Sequence, residues 1–200
     1  MRHAALWFAG VLLVALAVRV YLVSVMPIIS RDGVTFIRYA QGLQTQPRTE
    51  MRRQRQHPLY PASIAVVEAA LRRASVAPTD NVRRWLVAGQ SVAFAASLAV
   101  IPALYWLGCL MFGRRVGVVT AACAAVLPAI SHYGVDVLSD TLHLTLYVLA
   151  LAAGMSGLRR RAWGRIALAG GLAALAFLTR PEGGEVLVVL CGAIVLLRAW

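Results

Sequence analysis

Few residues in this sequence could do chemistry, and most of them stand in short polar breaks between long apolar runs. Asp32 follows the first run in Ser30-Arg31-Asp32-Gly33, with Arg38 two turns further on. His57 and Tyr60 flank two prolines in His57-Pro58-Leu59-Tyr60-Pro61. Asp136 and Asp140 share one break, and Arg180 and Glu182 share another, Thr179-Arg180-Pro181-Glu182. A positioned carboxylate takes or gives a proton, and the planar fork of arginine binds phosphate or carboxylate oxygens in pairs. Each residue also has a structural reading. Asp32 suits the N-cap of a helix beginning at Gly33, and Asp140 suits the N-cap of the apolar run after it. Arg180 suits either an ion pair with Glu182 at a loop corner or a bound phosphate. Arg31 and Arg38 suit lipid head groups as well as a ligand, His57 and Tyr60 suit packing around the prolines as well as a pocket wall, and Asp136 suits a solvated loop acid as well as an acid near a substrate.

The elements that must position these residues are read from the apolar pattern. The chain is 60% hydrophobic and 14% charged, with a mean hydropathy of +0.72. Crossing a bilayer takes ~20 mostly apolar residues, so the 200 residues predict a single membrane domain of about six spans with no separate soluble domain. The predicted spans cover residues 4–26, 85–111, 116–130, 141–158, 166–178 and 186–197, which makes the fold class all-α, a polytopic transmembrane helix bundle. The first run continues to Met26 without a small-residue cleavage site and reads as an uncleaved span. The last two spans are short for a bilayer, so their connection, residues 179–185, is expected below the membrane surface, where charge persists only beside a polar cavity or within protein. Residues 27–84 form a large loop with two helices suited to the membrane interface. One has Val34, Phe36, Ile37, Ala40 and Leu43 toward its apolar side, and the other has Ile64, Val67 and Leu71. Residues 44–57 between them read as a mobile connection.

Charge sets the expected orientation. All 20 basic residues are arginine, against 8 acids. Placing the N-terminus in the cytoplasm puts Arg114, Arg115, Arg159, Arg160, Arg161 and Arg165 on the cytoplasmic side. The breaks at Asp136–Asp140 and Arg180 then face outward, in a multi-pass protein of the cell (inner or plasma) membrane. The large loop also falls outside although it carries ten arginines, so those arginines need another role. The net charge of +12 suits anionic lipid head groups or a phosphate-bearing substrate and needs no nucleic acid. Within the spans, Arg19 is expected to snorkel to the interface and His143 to hydrogen-bond within the bundle. Cys109, Cys123 and Cys191 read as small buried hydrophobes, nothing has metal-ligand spacing, and no cofactor is indicated.

In order and spacing, four segments resemble the GT-C class of membrane glycosyltransferases, in particular the group of protein O-mannosyltransferases and aminoarabinose transferases that use polyprenyl-phosphate-linked sugars. They are Ser30–Ala40 after the first span, His57–Pro61 at the start of the second loop helix, the acidic break with Asp136, Ser139 and Asp140, and Phe177–Gly183. The resemblance implies an inverting sugar transfer to an acceptor hydroxyl at the outer membrane face, with membrane lipids around it and a polyprenyl-phosphate-linked sugar as donor. It implies Asp32 as general base, and a substrate site drawn from Arg31, Arg38, His57, Tyr60, Asp136, Asp140, Arg180 and Glu182. It also implies that the chain is an N-terminal part of a longer architecture. Two other functions stand beside it: a truncated, non-catalytic membrane protein that binds lipid or a partner, and a transporter or permease subunit. The latter commonly shows related halves, and no internal repeat is visible here.

Overall fold

A computed structural model describes residues 2–25, 29–74 and 80–197. The described residues form an all-helical membrane bundle. Helix α1 (Arg2–Val25) leads to three shorter helices, α2 (Arg31–Thr45), α3 (Pro47–Arg53) and α4 (Leu59–Arg73). The bundle continues with α5 (Asn81–Phe112), α6 (Arg114–Val126), α7 (Pro128–Tyr133), α8 (Asp140–Arg160) and α9 (Trp163–Phe177). A 3-10 turn (Pro181–Gly184) then leads into α10 (Glu185–Leu197).

Three helices are long and apolar enough to cross a bilayer, through Leu6–Val25, Asn81–Phe112 and Asp140–Arg160. Helices α6 and α9, at 13 and 15 residues, reach only ~20–23 Å at 1.5 Å per residue. The shortness expected of the span at 166–178 is therefore present, and α10 is described as far as Leu197. The predicted third span is divided: Pro128 restricts the residue before it, Leu127 turns extended at φ −61° and ψ 120°, and α6 ends at Val126. The short α7 continues beyond the break.

Small residues bring the long helices together. Gly108 of α5 faces Gly117 of α6 so closely that a Cβ added at Gly108 would stand 3.0 Å from the Gly117 Cα. This is the small-residue contact that membrane helices use in place of hydrophobic expulsion from water. Between α5 and α8, Thr145 Oγ1 donates to the Ala96 carbonyl at 2.8 Å and Thr141 Oγ1 to that of Ala93 at 3.4 Å. Alanines 150, 153, 169 and 173 with Val186 and Leu190 form the core shared by α8, α9 and α10. Large side chains such as Leu6, Trp7, Leu13 and Tyr21 are exposed along α1, as expected of a surface that meets lipid. Cys123 and Cys191 are also exposed and Cys109 is half-buried, so they are not the buried hydrophobes the sequence suggested.

Helices α2 and α4 pack on the first turns of α5. Phe36, Ala40, Tyr60, Ile64, Trp85, Ala88, Val92 and Val137 make their common core. The buried side of α2 is Gly33, Phe36, Tyr39 and Ala40, rotated from the expected one, because Val34 points outward and Ile37 is only half-buried. Ile64, Val67 and Leu71 of α4 face this core as expected. Glu68 joins the three helices. It is buried, and it accepts hydrogen bonds from Arg84 Nε at 2.7 Å and Gln44 Nε2 at 3.0 Å, with Arg72 Nε 4.0 Å away. Burial pushes its carboxyl up, but these bonds and the two arginine charges outweigh that and hold it below the ordinary glutamate value. The connection read as mobile contains helix α3, entered through Pro47 at its first position.

Arg19 corrects another expectation. It does not snorkel but is fully buried. Its guanidinium donates to Ser97 Oγ at 3.0 Å, to the Ala15 carbonyl at 3.1 Å and to the Ala125 carbonyl at 3.0 Å. The Ala125 carbonyl belongs to the last turn of α6, where carbonyls lack an intrahelical partner and cations are favoured. Arg19 thus holds the end of α6, the helix that Pro128 stops, against α1 and α5.

Candidate functional site

Asp32, His57, Asp140 and Arg180 line one cavity of about 210 Å3. Four separate segments deliver them: the first turn of α2, the segment before α4, the first residue of α8 and the segment after α9. Gln56, Ser139 and Thr179 also contribute to its wall, along with Phe36, Leu138 and Pro181.

Local chemistry fixes each segment. Ser30, not Asp32, caps α2: its hydroxyl accepts from the Gly33 amide at 3.2 Å. Asp32 therefore sits inside the first turn, exposed, with no hydrogen bond or ion pair among the described residues. Asp136 anchors the start of α2 to the loop before α8, its Oδ1 accepting from the amides of Ser30 at 3.1 Å and Val137 at 2.7 Å. Gly33 makes that approach possible, since a Cβ there would lie 3.0 Å from Val137 Cβ.

The segment before α4 is tied to the end of α9. The Leu59 amide donates to the Leu178 carbonyl at 3.0 Å. The His57 ring stands edge-on to Phe177 with centroids 5.4 Å apart. At the end of α9, Thr179 is buried and lies 3.2 Å from His143 Nδ1 through its hydroxyl, so His143 hydrogen-bonds within the bundle as its sequence position suggested. The Arg180 amide donates to the Ala176 carbonyl at 2.9 Å, and the Gly183 amide to the Arg180 carbonyl at 3.1 Å. Gly183 is packed so tightly that an added Cβ would lie 2.2 Å from the Phe177 nitrogen. Arg180 is thereby held by backbone that tolerates no side chain at Gly183.

Asp140 is the first residue of α8 and not its cap, which is Ser139. Its carboxylate instead pairs with the Arg180 guanidinium. Glu182 stands 3.8 Å from Arg180 Nε, so the expected Arg180–Glu182 pair exists with a second acid added to it. One arginine between two carboxylates has an oxyanion-binding fork already in place, filled by the protein's own acids.

Other candidates fall outside the cavity. Tyr60 is fully buried, and its hydroxyl donates to the Gly89 carbonyl at 3.3 Å. Burial and the charges of Asp136 and Asp140 push its phenol well above the usual tyrosine range. It is a core residue, which fits the packing reading of Tyr60 and not a place in the cavity wall. Arg31 is exposed and not part of the cavity wall, and Arg38 lines a different groove with Gln41, Asn81 and Trp85. Asp136 is occupied by backbone amides as described. Sequence reasoning missed Gln56, Ser139 and Thr179 as wall residues, although all three directly precede a residue it named. Among the described residues, no group of three or more His, Cys, Asp or Glu is placed to hold a metal.

The cavity thus gathers acids and an arginine from four segments of an all-helical membrane bundle. The family model for dolichyl-phosphate-mannose-protein mannosyltransferases matches residues 86–200, more than half of the chain, and the chain belongs to this family. The match takes in Asp136, Asp140, Arg180 and Glu182, whereas Asp32 and His57 precede it. No curated protein and no solved structure matches the chain.

Proposed function

We propose that the protein transfers a sugar from a polyprenyl-phosphate donor to an acceptor hydroxyl at the outer face of the cell membrane, with inversion at the anomeric carbon. The observation that carries this reading is the shared cavity of Asp32, which has no partner among the described residues, and Arg180, an arginine already engaged by carboxylates. Asp32 accepts the proton of the acceptor hydroxyl as its oxygen attacks the anomeric carbon. The bond from that carbon to the phosphate oxygen breaks, its electron pair stays on the phosphate, and polyprenyl phosphate leaves. Arg180 binds the phosphate and stabilises the charge that develops on the leaving oxygen. A single displacement of this kind inverts the anomeric centre. The outward orientation is supported by Arg114, Arg115, Arg159, Arg160, Arg161 and Arg165, which lie at the helix ends around the α5–α6 and α8–α9 connections and do not line the cavity.

Titration of the detergent-purified protein with a polyprenyl phosphate, alongside Arg180→Ala and Asp32→Asn, tests the reading. Binding that survives Asp32→Asn and fails in Arg180→Ala is expected. Binding that is indifferent to Arg180→Ala would remove the phosphate site from this cavity.

A further inference from the structure

Gln56 is one of the polar wall residues that neither the proton transfer nor the phosphate uses. Gln56 lines the cavity between Arg55, which is exposed, and His57. Its side-chain oxygen is shielded from solvent and accepts no hydrogen bond among the described residues. A buried acceptor without a donor is costly and calls for an explanation. The fold does not supply one, because the segment is fixed by its neighbours, through the Leu59 amide on the Leu178 carbonyl and the His57 ring on Phe177.

The ligand class follows from size and lining. A cavity of about 210 Å3 lies below the ~300–1,000 Å3 of sites for drug-sized ligands. That is the scale of a single sugar ring. Phe36 and Pro181 offer apolar wall to the C–H faces of such a ring. The Gln56 amide nitrogen is not among the shielded atoms, has no hydrogen-bond partner among the described residues, and offers donors that suit the oxygen of a hydroxyl. It also adds no charge beside the acids and Arg180.

We propose that Gln56 reads the transferred sugar: its amide hydrogen-bonds a hydroxyl of the monosaccharide and so distinguishes the loaded donor from the spent polyprenyl phosphate. This rests on the glycosyltransferase reading above and adds a residue to it. Losing that contact when the sugar is transferred weakens the hold on the product and helps it leave.

The test compares two probes, polyprenyl phosphate and polyprenyl-phosphate-mannose, mannose being the sugar named for the matched family. Each is titrated against the wild-type protein, Gln56→Ala and Gln56→Leu, the last keeping side-chain bulk so that loop collapse is not mistaken for loss of a contact. Both variants are expected to bind the mannosylated probe about fivefold more weakly, the value of one neutral hydrogen bond, and the bare phosphate within about twofold of wild type. Equal weakening for both probes would overturn the proposal, since Gln56 would then only support its loop. An unchanged ratio between the probes in Gln56→Leu, with wild type binding both, would overturn this proposal alone. Wild-type protein that binds neither probe would overturn it together with the glycosyltransferase reading.

Discussion

Replacing Asp140 with Asn is expected to tighten the binding of polyprenyl phosphate, because Asp140 holds the guanidinium that the phosphate needs. Arg180 and Asp140 keep 40% and 35% of their side-chain surface exposed, so their pair belongs with solvent-screened ion pairs worth ~0.2–1 kcal/mol. Freeing Arg180 returns that amount to the phosphate. Removing one of the two negative charges around Arg180 acts in the same direction and at a similar scale. Together they amount to roughly 0.5–1.5 kcal/mol, or a two- to tenfold lower dissociation constant. Asn keeps the size of the side chain, so the first turn of α8 should be preserved. The assay is a polyprenyl phosphate titration in nanodiscs at several salt concentrations. The gain over wild type should shrink as salt rises, because exposed charges are screened. Weaker binding by Asp140→Asn would refute the competition argument and make Asp140 a residue that aims Arg180 at the phosphate.

Other outcomes follow from the same contacts. Tyr60→Phe should lower thermal stability by about 1 kcal/mol through loss of the bond to the Gly89 carbonyl, and should leave phosphate binding unchanged because Tyr60 does not line the cavity. Glu68→Gln should cost about 1.5 kcal/mol near neutral pH by removing the charge from its bond with Arg84. Because folding depresses the Glu68 pKa, its contribution is present above the unfolded-state value of about 4.3 and is lost as pH falls through the lower folded value. Melting curves of wild type and Glu68→Gln should therefore draw together as pH falls from about 4.3 through the lower folded-state value. Curves that stay parallel to acid pH would show that Glu68 is not the group responsible.

The sequence conveyed the helices whose reason is local and left out those whose reason is tertiary. The long apolar runs became α1, α5 and α8, and the shortness of residues 166–178 reappeared in α9. Apolar spacing placed Ile64, Val67 and Leu71 correctly. On α2 it turned the helix, because Gly33 is packed against Val137, a partner far along the chain that periodicity does not reveal. The break at Pro128 was visible as a proline in the sequence, but the apolar residues on both sides of it concealed the end of α6. Arg19 was read from a general rule about long cations in membranes. Its burial depends on Ser97 and Ala125, which lie 78 and 106 residues away.

Within the site, Asp32, His57, Asp140 and Arg180 were legible because acids, histidine and arginine stand out between apolar runs. Their roles were less so. Both aspartates seemed fit to cap helices, and in each case a neighbouring serine occupies that position, Ser30 for α2 and Ser139 for α8. That leaves one carboxylate free and the other paired with Arg180. Gln56 carried no signal, since a neutral amide in a polar loop resembles every other residue that faces water.

Sugar turnover by Asp32→Asn, measured with polyprenyl phosphate binding on the same preparation, tests the central claim most directly. The account predicts that binding is retained while transfer from a polyprenyl-phosphate-linked sugar falls by about 100-fold or more, the scale of a lost general base. Wild-type transfer rates in Asp32→Asn would contradict it.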